Sequence, residues 1–208
     1  MRLKQMVAVL LAGLLAAAVA PAQEVATYRM DGAHSAVNFV VSHFTVSKVR
    51  GGFEKFTGTF QVDEKDFTRS QFEVTIQAAS LNTRVENRDN HLKSADFLDV
   101  ANHAEITFKS KRIEKTANGY VAVGDLTIRG TTREVPLHFT LVGPIKDPLK
   151  FSRIGVEASA TINRHDFGAN WNRVMEGGGL FVGDEVKIEI NAELVKVDPA
   201  TGQPIRLE

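Results

Sequence analysis

Val186-Lys187-Ile188-Glu189-Ile190-Asn191-Ala192-Glu193-Leu194 alternates apolar and polar side chains without a break. Successive side chains of an extended chain point to opposite faces, so this stretch carries one apolar face and one wet face. It reads as a half-buried antiparallel strand.

The same period recurs outward from it. Ile154, Val156, Ala158, Ala160 and Ile162 alternate with Gly155, Glu157, Ser159, Thr161 and Asn163. Val135, Leu137, Phe139 and Leu141 alternate with polar residues and Pro136, and Phe72, Val74, Ile76 and Ala78 with Gln71, Glu73, Thr75 and Gln77. Weaker runs cover 36–46, 56–63, 104–113 and 119–128. That makes about eight strands, with an extra edge near Thr27–Met30. Gly51-Gly52, Asn118-Gly119, Gly130, Gly143-Pro144 and Gly177-Gly178-Gly179 stand between runs as connector signals, and Asn118-Gly119 marks a hairpin. Glu86–Phe97 has no alternation, and a short helix is expected near residues 87–96, across one end. The fold class is all-β: a closed antiparallel eight-stranded β-barrel, since closure removes exposed sheet edges.

The first residues have a different character. Arg2 and Lys4 precede an apolar run, Met6–Val19, and Ala20-Pro21-Ala22 follows with small residues. This order predicts a secretory signal peptide over 1–22. The run is shorter than the roughly 18–20 residues that span a bilayer. The expected domain is 23–197, and 198–208, with Pro199, Gly202 and Pro204, is expected to be a flexible tail. Without Arg2 and Lys4, the chain carries 23 basic and 25 acidic side chains. That balance argues against nucleic acid as a partner, because phosphate binding needs clustered cations. The chain has no cysteine, so disulfides are excluded.

A barrel of this strand number is either filled by side chains or holds one small ligand. Ala78, Ala122, Gly124, Ala158, Ala160 and Ala192 on inward faces favour a cavity. The other reading is that they make room for bulky partners, since the chain has 13 phenylalanines. Enzyme signatures are missing: no cysteine nucleophile, G-x-S-x-G, H-E-x-x-H, P-loop or G-x-G-x-x-G. None of the six histidines are at helix-ligand spacing, so no metal and no cofactor is expected. Arg84–His91 is polar throughout, and reads as a mouth rim that holds a head group or, more simply, as a solvated helix and loop. Asn163–Trp171 holds the single Trp and reads either as a site or as a loop anchored by Phe167 and Trp171.

Five ordered pieces carry a family resemblance. They are Asp31, His34, Ser35, Val37, Phe39 and His43 with Gly52-Phe53 and Phe56-x-Gly58-x-Phe60; Ser80-Leu81-Asn82-Thr83 through Arg88-Asp89, His91-Leu92, Ser94 and Asp96–Val100 to Ile106-x-Phe108; Gly124–Gly130; Arg164-x-Asp166-Phe167-Gly168; and Gly183-Asp184-x-Val186-x-Ile188. From about Tyr28 to Val195 the chain resembles the YceI-like family of lipocalin-like, polyisoprenoid-binding periplasmic proteins. Ala104 stands where that family's pattern has proline.

The resemblance implies a lipocalin-like barrel with an apolar tunnel for a long isoprenoid, a polyprenyl or quinone-type tail. It also implies periplasmic localisation and often a homodimer. The expected role is a non-catalytic carrier or sequestering protein. The tunnel is expected along Val37, Phe39, Phe72, Ile76, Phe108, Ile128, Phe139, Ile162 and Phe181. The head group is placed near His34, Arg88, Asp89, His91 and Trp171. Two rivals stand beside this reading. One is an enzyme acting on a lipid or quinone through His34, His91 and Asp89 or Asp96. The other is a filled barrel that works through its surface.

Overall fold

The computed structural model describes residues 25–208; the expected signal peptide over 1–22 lies outside them. The opening stretch belongs to strand β11 (Val182–Lys196), which pairs with β10 (Ser152–Asn163) in unbroken register from Arg153↔Val195 to Asn163↔Glu185. Antiparallel pairing then continues through β9 (Thr131–Lys146), β8 (Gly119–Ile128), β7 (Glu105–Thr116), β5 (Gln71–Gln77) and β4 (Phe56–Asp63) to β1 (Val25–Met30). Strand β1 pairs back onto β11 through Tyr28↔Lys196 and Met30↔Leu194, and the sheet closes as an eight-stranded antiparallel barrel. Thr27–Met30, expected as an edge, is therefore the strand that removes the edge.

Three further strands extend the wall. Ala36–His43 (β2) pairs with the first half of β11, Ser47–Phe53 (β3) with β2, and Leu81–Asn82 (β6) with β3. In effect β1 and β2, β3 and β4, and β5 and β6 are three long strands, each interrupted midway. Serine hydroxyls close two of the interruptions. Ser35 Oγ accepts the Glu193 N–H at 3.0 Å, and Ser80 Oγ accepts the Lys55 N–H at 3.0 Å. In each a hydroxyl takes the place of the lost ladder partner.

Gly51-Gly52 lies inside β3 and is not a connector. Gly51 faces Phe39 across the β2–β3 ladder, and the ring occupies the place of the missing side chain. Glycine here reports close approach of a ring, not a turn. Arg129-Gly130, by contrast, is a true two-residue hairpin loop between Ile128 and Thr131, with φ of 52° and 71°. Those signs fit the I′ turn that matches strand twist.

The helix α1 spans Glu86–Lys93. It stops earlier than expected because Ser94 donates both its N–H and its hydroxyl to the His91 carbonyl. The helix and the 94–104 segment form the connection from β6 to β7. Arg129 Nη1 holds this segment by donating to the carbonyls of Ala95 and Phe97 at 2.5 and 2.7 Å. Residues 198–208, expected to fray, run back along the β9–β10 turn. Val197 bridges Pro204, Phe151 bridges Arg206, and the Leu207 N–H donates to Lys150 at 2.7 Å.

Candidate ligand-binding site

The barrel interior holds two apolar chambers in line. The upper one, at the α1 end, has a cavity volume of about 190 Å³. The lower one has about 70 Å³. Phe72, Val74, Leu137 and Ile190 line both and form the waist between them. Both linings mix buried with half-buried side chains. At the lower end Tyr28, Ile154 and Leu194 are almost wholly buried. Around the upper chamber Ile106, Leu126 and Ile162 are buried and Ile76, Phe108, Ile128 and Ile188 half-buried, and the lower lining likewise includes half-buried Phe139, Leu141 and Val156.

Both readings of the small inward residues hold, at different positions. Gly124 and Gly58 are covered by the rings of Phe108 and Phe60, so they accommodate bulk. Ala160 lines the upper chamber, and Ala158 and Ala192 line the lower one, where they leave volume.

The expected tunnel residues are brought together, with one exception. Val37, Phe39, Phe72, Ile76, Phe108, Ile128 and Ile162 line the upper chamber, and Phe139 the lower. Phe181 lies outside both linings, on the rim. There it joins a chain of ring contacts: His43 to Phe44 at 3.8 Å, Phe44 to Phe181 at 4.2 Å, Phe181 to Trp171 at 5.9 Å, and Trp171 to His91 at 4.7 Å. This chain links the β2–β3 turn, the 164–181 connection and α1 across the mouth. The last three of these contacts are edge-on, an arrangement that adds to the area the rings bury.

The head-group residues divide. His91 and Trp171 are at the mouth, both packed on Phe97, and His91 Nε2 lies 2.8 Å from Asp96 Oδ2. Arg88 and Asp89 are engaged elsewhere. Arg88 donates from Nε and Nη2 to Thr83 Oγ1 and O, at 2.7 and 2.9 Å. Asp89 Oδ1 accepts the Thr83 N–H and hydroxyl at 2.8 and 2.5 Å. Together they fasten α1 to the buried Thr83. His34 is not at the mouth. It lies on the outer wall at the β1–β2 interruption, 64% exposed, with Nδ1 3.0 Å from Asp31 Oδ2. That hydrogen bond raises the His34 pKa and lowers that of Asp31. Asp31, His34 and Glu193 offer three ligand-type atoms within 4.8 Å of one another. Arg153 already pairs with Asp31 and Glu193, and with Asp147 at 2.6 Å, so the carboxylates are spoken for by a cation.

Sequence reasoning missed Arg164 as a site residue, although its motif was visible. It is the charged side chain in the upper lining and is buried. Its Nε donates to Gly183 O at 3.0 Å, and Nη1 donates to the carbonyls of Ala169 and, at 2.9 Å, Trp171. Asp184 Oδ1 lies 3.4 Å from Nη2 and 2.7 Å from His165 Nε2. Burial lowers the Arg164 pKa, and Asp184 opposes this. The arginine staples the β10–β11 connection over the chamber. A signal existed: Gly168 follows Arg164–Phe167, and its φ of 79° ends the 3₁₀ turn that aims Arg164 inward. Leu92 and Leu98, also in the lining, come from α1 and the segment after it, which show no periodicity.

A closed antiparallel barrel around an unfilled apolar interior, with one short helix at its mouth, defines a lipocalin-like fold. The chain belongs to the YceI-like family, whose domain matches residues 28–194. It is 40% identical over 167 residues to a UPF0312 protein of Staphylococcus aureus strain N315, covering 80% of this chain and 95% of that one. Among solved structures it is similar to Burkholderia cenocepacia BcnA, with a TM-score of 0.69 at 22% identity, covering 79% and 98% of the two chains. It is also similar to a polyisoprenoid binding domain from Saccharophagus degradans, with a TM-score of 0.59 at 16% identity, covering 82% and 98%.

Proposed function

We propose that this protein binds a long isoprenoid lipid, of polyprenyl or quinone type, with its tail in the barrel and its polar end at the α1 mouth. The observation that carries this reading is the unfilled upper chamber, walled by Phe39, Phe108, Ile128, Ile162 and Ile188. An apolar cavity without polar partners stays dry and favours an apolar occupant. Burial of tail surface supplies about 25 cal/mol per Å². The polyisoprenoid binding domain of the same fold supports the ligand class.

His91 and Trp171 are the groups placed to meet a polar end, beneath the connection that Arg164 holds, and they take that role in place of Arg88, Asp89 and His34. The working site is the periplasm, in keeping with the signal-like N-terminus, and the role is carriage or sequestration. No chemical step is assigned: a bound lipid should be recovered unchanged.

The test is native mass spectrometry of protein exported by its own host and purified without detergent. An added mass, extractable as an isoprenoid lipid, is expected. A bare polypeptide mass that also takes up no added polyprenol or quinone would overturn the proposal.

A further inference from the structure

We infer that the lower chamber is a separate compartment for the far end of the tail, and that Phe72 is the gate that sets how long a tail the barrel accepts. This rests on the isoprenoid reading above and adds a specificity residue to it.

The Phe72 ring lies in a row of three. It stacks on Phe60 at 5.4 Å and 20°, and on Phe108 at 5.6 Å and 25°. Phe108 lines only the upper chamber and Phe60 only the lower; Phe72 lines both. The partition is therefore made of side chains, Phe72 with Val74, Leu137 and Ile190, and of these Phe72 alone carries a ring that stacks on a ring in each chamber; side chains change rotamer far more readily than a wall moves. The backbone beneath it is held unevenly. On one side Phe72 pairs with Phe60 of β4. On the other, the β5–β7 ladder ends at Glu73↔Lys109, and the Phe72 N–H donates instead to Ser110 Oγ at 2.8 Å, beside a bulge in β7. Bulges re-aim side chains where function needs it.

The lower chamber has the chemistry of a tail pocket. Its volume exceeds the roughly 10–15 Å³ that one water requires. Yet its polar lining is confined to Ser70, whose hydroxyl already accepts the Asp63 N–H, and Gln71. At that end Phe67 lines the chamber, and fully buried Tyr28 packs in the same cluster. A chain reaching this space from the upper chamber passes Phe72.

The test compares binding of geranylgeraniol and solanesol, a short and a long polyprenol, to wild type, Phe72→Ala and Ala192→Leu by competition in native mass spectrometry. Ala192 lines only the lower chamber, so leucine there fills it without touching the upper one. Ala192→Leu should lower solanesol binding relative to geranylgeraniol on the order of ten-fold, the worth of one to two methylenes displaced from an apolar site. Phe72→Ala should shift the ratio the other way. Should Phe72→Ala fail to fold, Phe72→Leu, which keeps an apolar but smaller side chain at the waist, takes its place and should shift the ratio in the same direction. Wild type binding both alcohols with a ratio unchanged in the variants overturns the gate and leaves the lipid reading intact. Wild type binding neither overturns both.

Discussion

A Cβ placed on Gly51 would lie 2.4 Å from Cζ of Phe39, its cross-strand partner. The width of the upper chamber depends on this relationship. Phe39 lines the chamber, and the absent side chain at Gly51 is the recess in which its ring rests.

Gly51→Ala should drive the Phe39 ring off its recess and into the chamber. Over-packing of this kind costs about 1–3 kcal/mol. Urea unfolding should show that loss, and lipid titration a weaker affinity. Phe39→Leu in the same chain should restore part of both, since neighbouring substitutions couple. An alanine variant as stable as wild type, with unaltered binding, would refute the recess.

Arg164→Leu leaves the carbonyls of Gly183, Ala169 and Trp171 without their guanidinium donors. Unsatisfied buried acceptors should cost about 2–4 kcal/mol. Lysine keeps a charge but loses the fork that reaches several carbonyls at once, so Arg164→Lys should fall between. Denaturation midpoints check the order. If leucine matches wild type, the staple has no energetic weight.

Trp171 is the single tryptophan, and it contacts His91, Phe97 and Phe181 at the mouth. Its emission is a private probe of that end. A quinone-type lipid should quench it, and a polyprenol should shift it to the blue without quenching. A lipid seen bound by mass while the emission stays fixed would put the polar end away from the mouth.

Acid should weaken the fold through Asp63. Burial alone would raise its pKa, but the N–H groups of Asp66 and Lys65 and the Arg69 guanidinium at 2.6 Å outweigh burial and hold it below the usual 3.8. A carboxyl lowered by folding contributes stability that is present above its unfolded value and is lost as pH falls toward the folded one. Melting temperature should therefore drop below about pH 4. In Asp63→Asn that part of the drop should vanish, and an unchanged acid limb would show that other carboxylates carry it.

Much of the barrel was legible because each wall strand has one wet face. Period two in 154–163 and 186–194 marks strands, and the same parity that assigns Ile188 and Ala160 to the interior sends Glu189 and Thr161 out. Strand β3 was illegible. Ser47-Lys48-Val49-Arg50-Gly51-Gly52-Phe53 has too few apolar side chains to show a period, and its Gly51 answers a ring on another strand. His34 was misplaced because motif proximity to Val37 and Phe39 says nothing of direction. The β1–β2 interruption turns it to the outer wall.

The sequence by itself determined that the chain closes an antiparallel barrel, which face of the wall strands is apolar, and which family it joins. These follow from local periodicity and from ordered motifs, both readable one segment at a time. Only the tertiary structure decided that the interior is two chambers that meet at a waist of Phe72, Val74, Leu137 and Ile190, that Arg164 stands in the chamber wall, and that Arg88 and Asp89 are committed to Thr83. Each of these depends on side chains from strands and loops distant in sequence meeting across the barrel. Whether a small residue leaves a cavity or receives a ring is set by what lies opposite, which no single strand records.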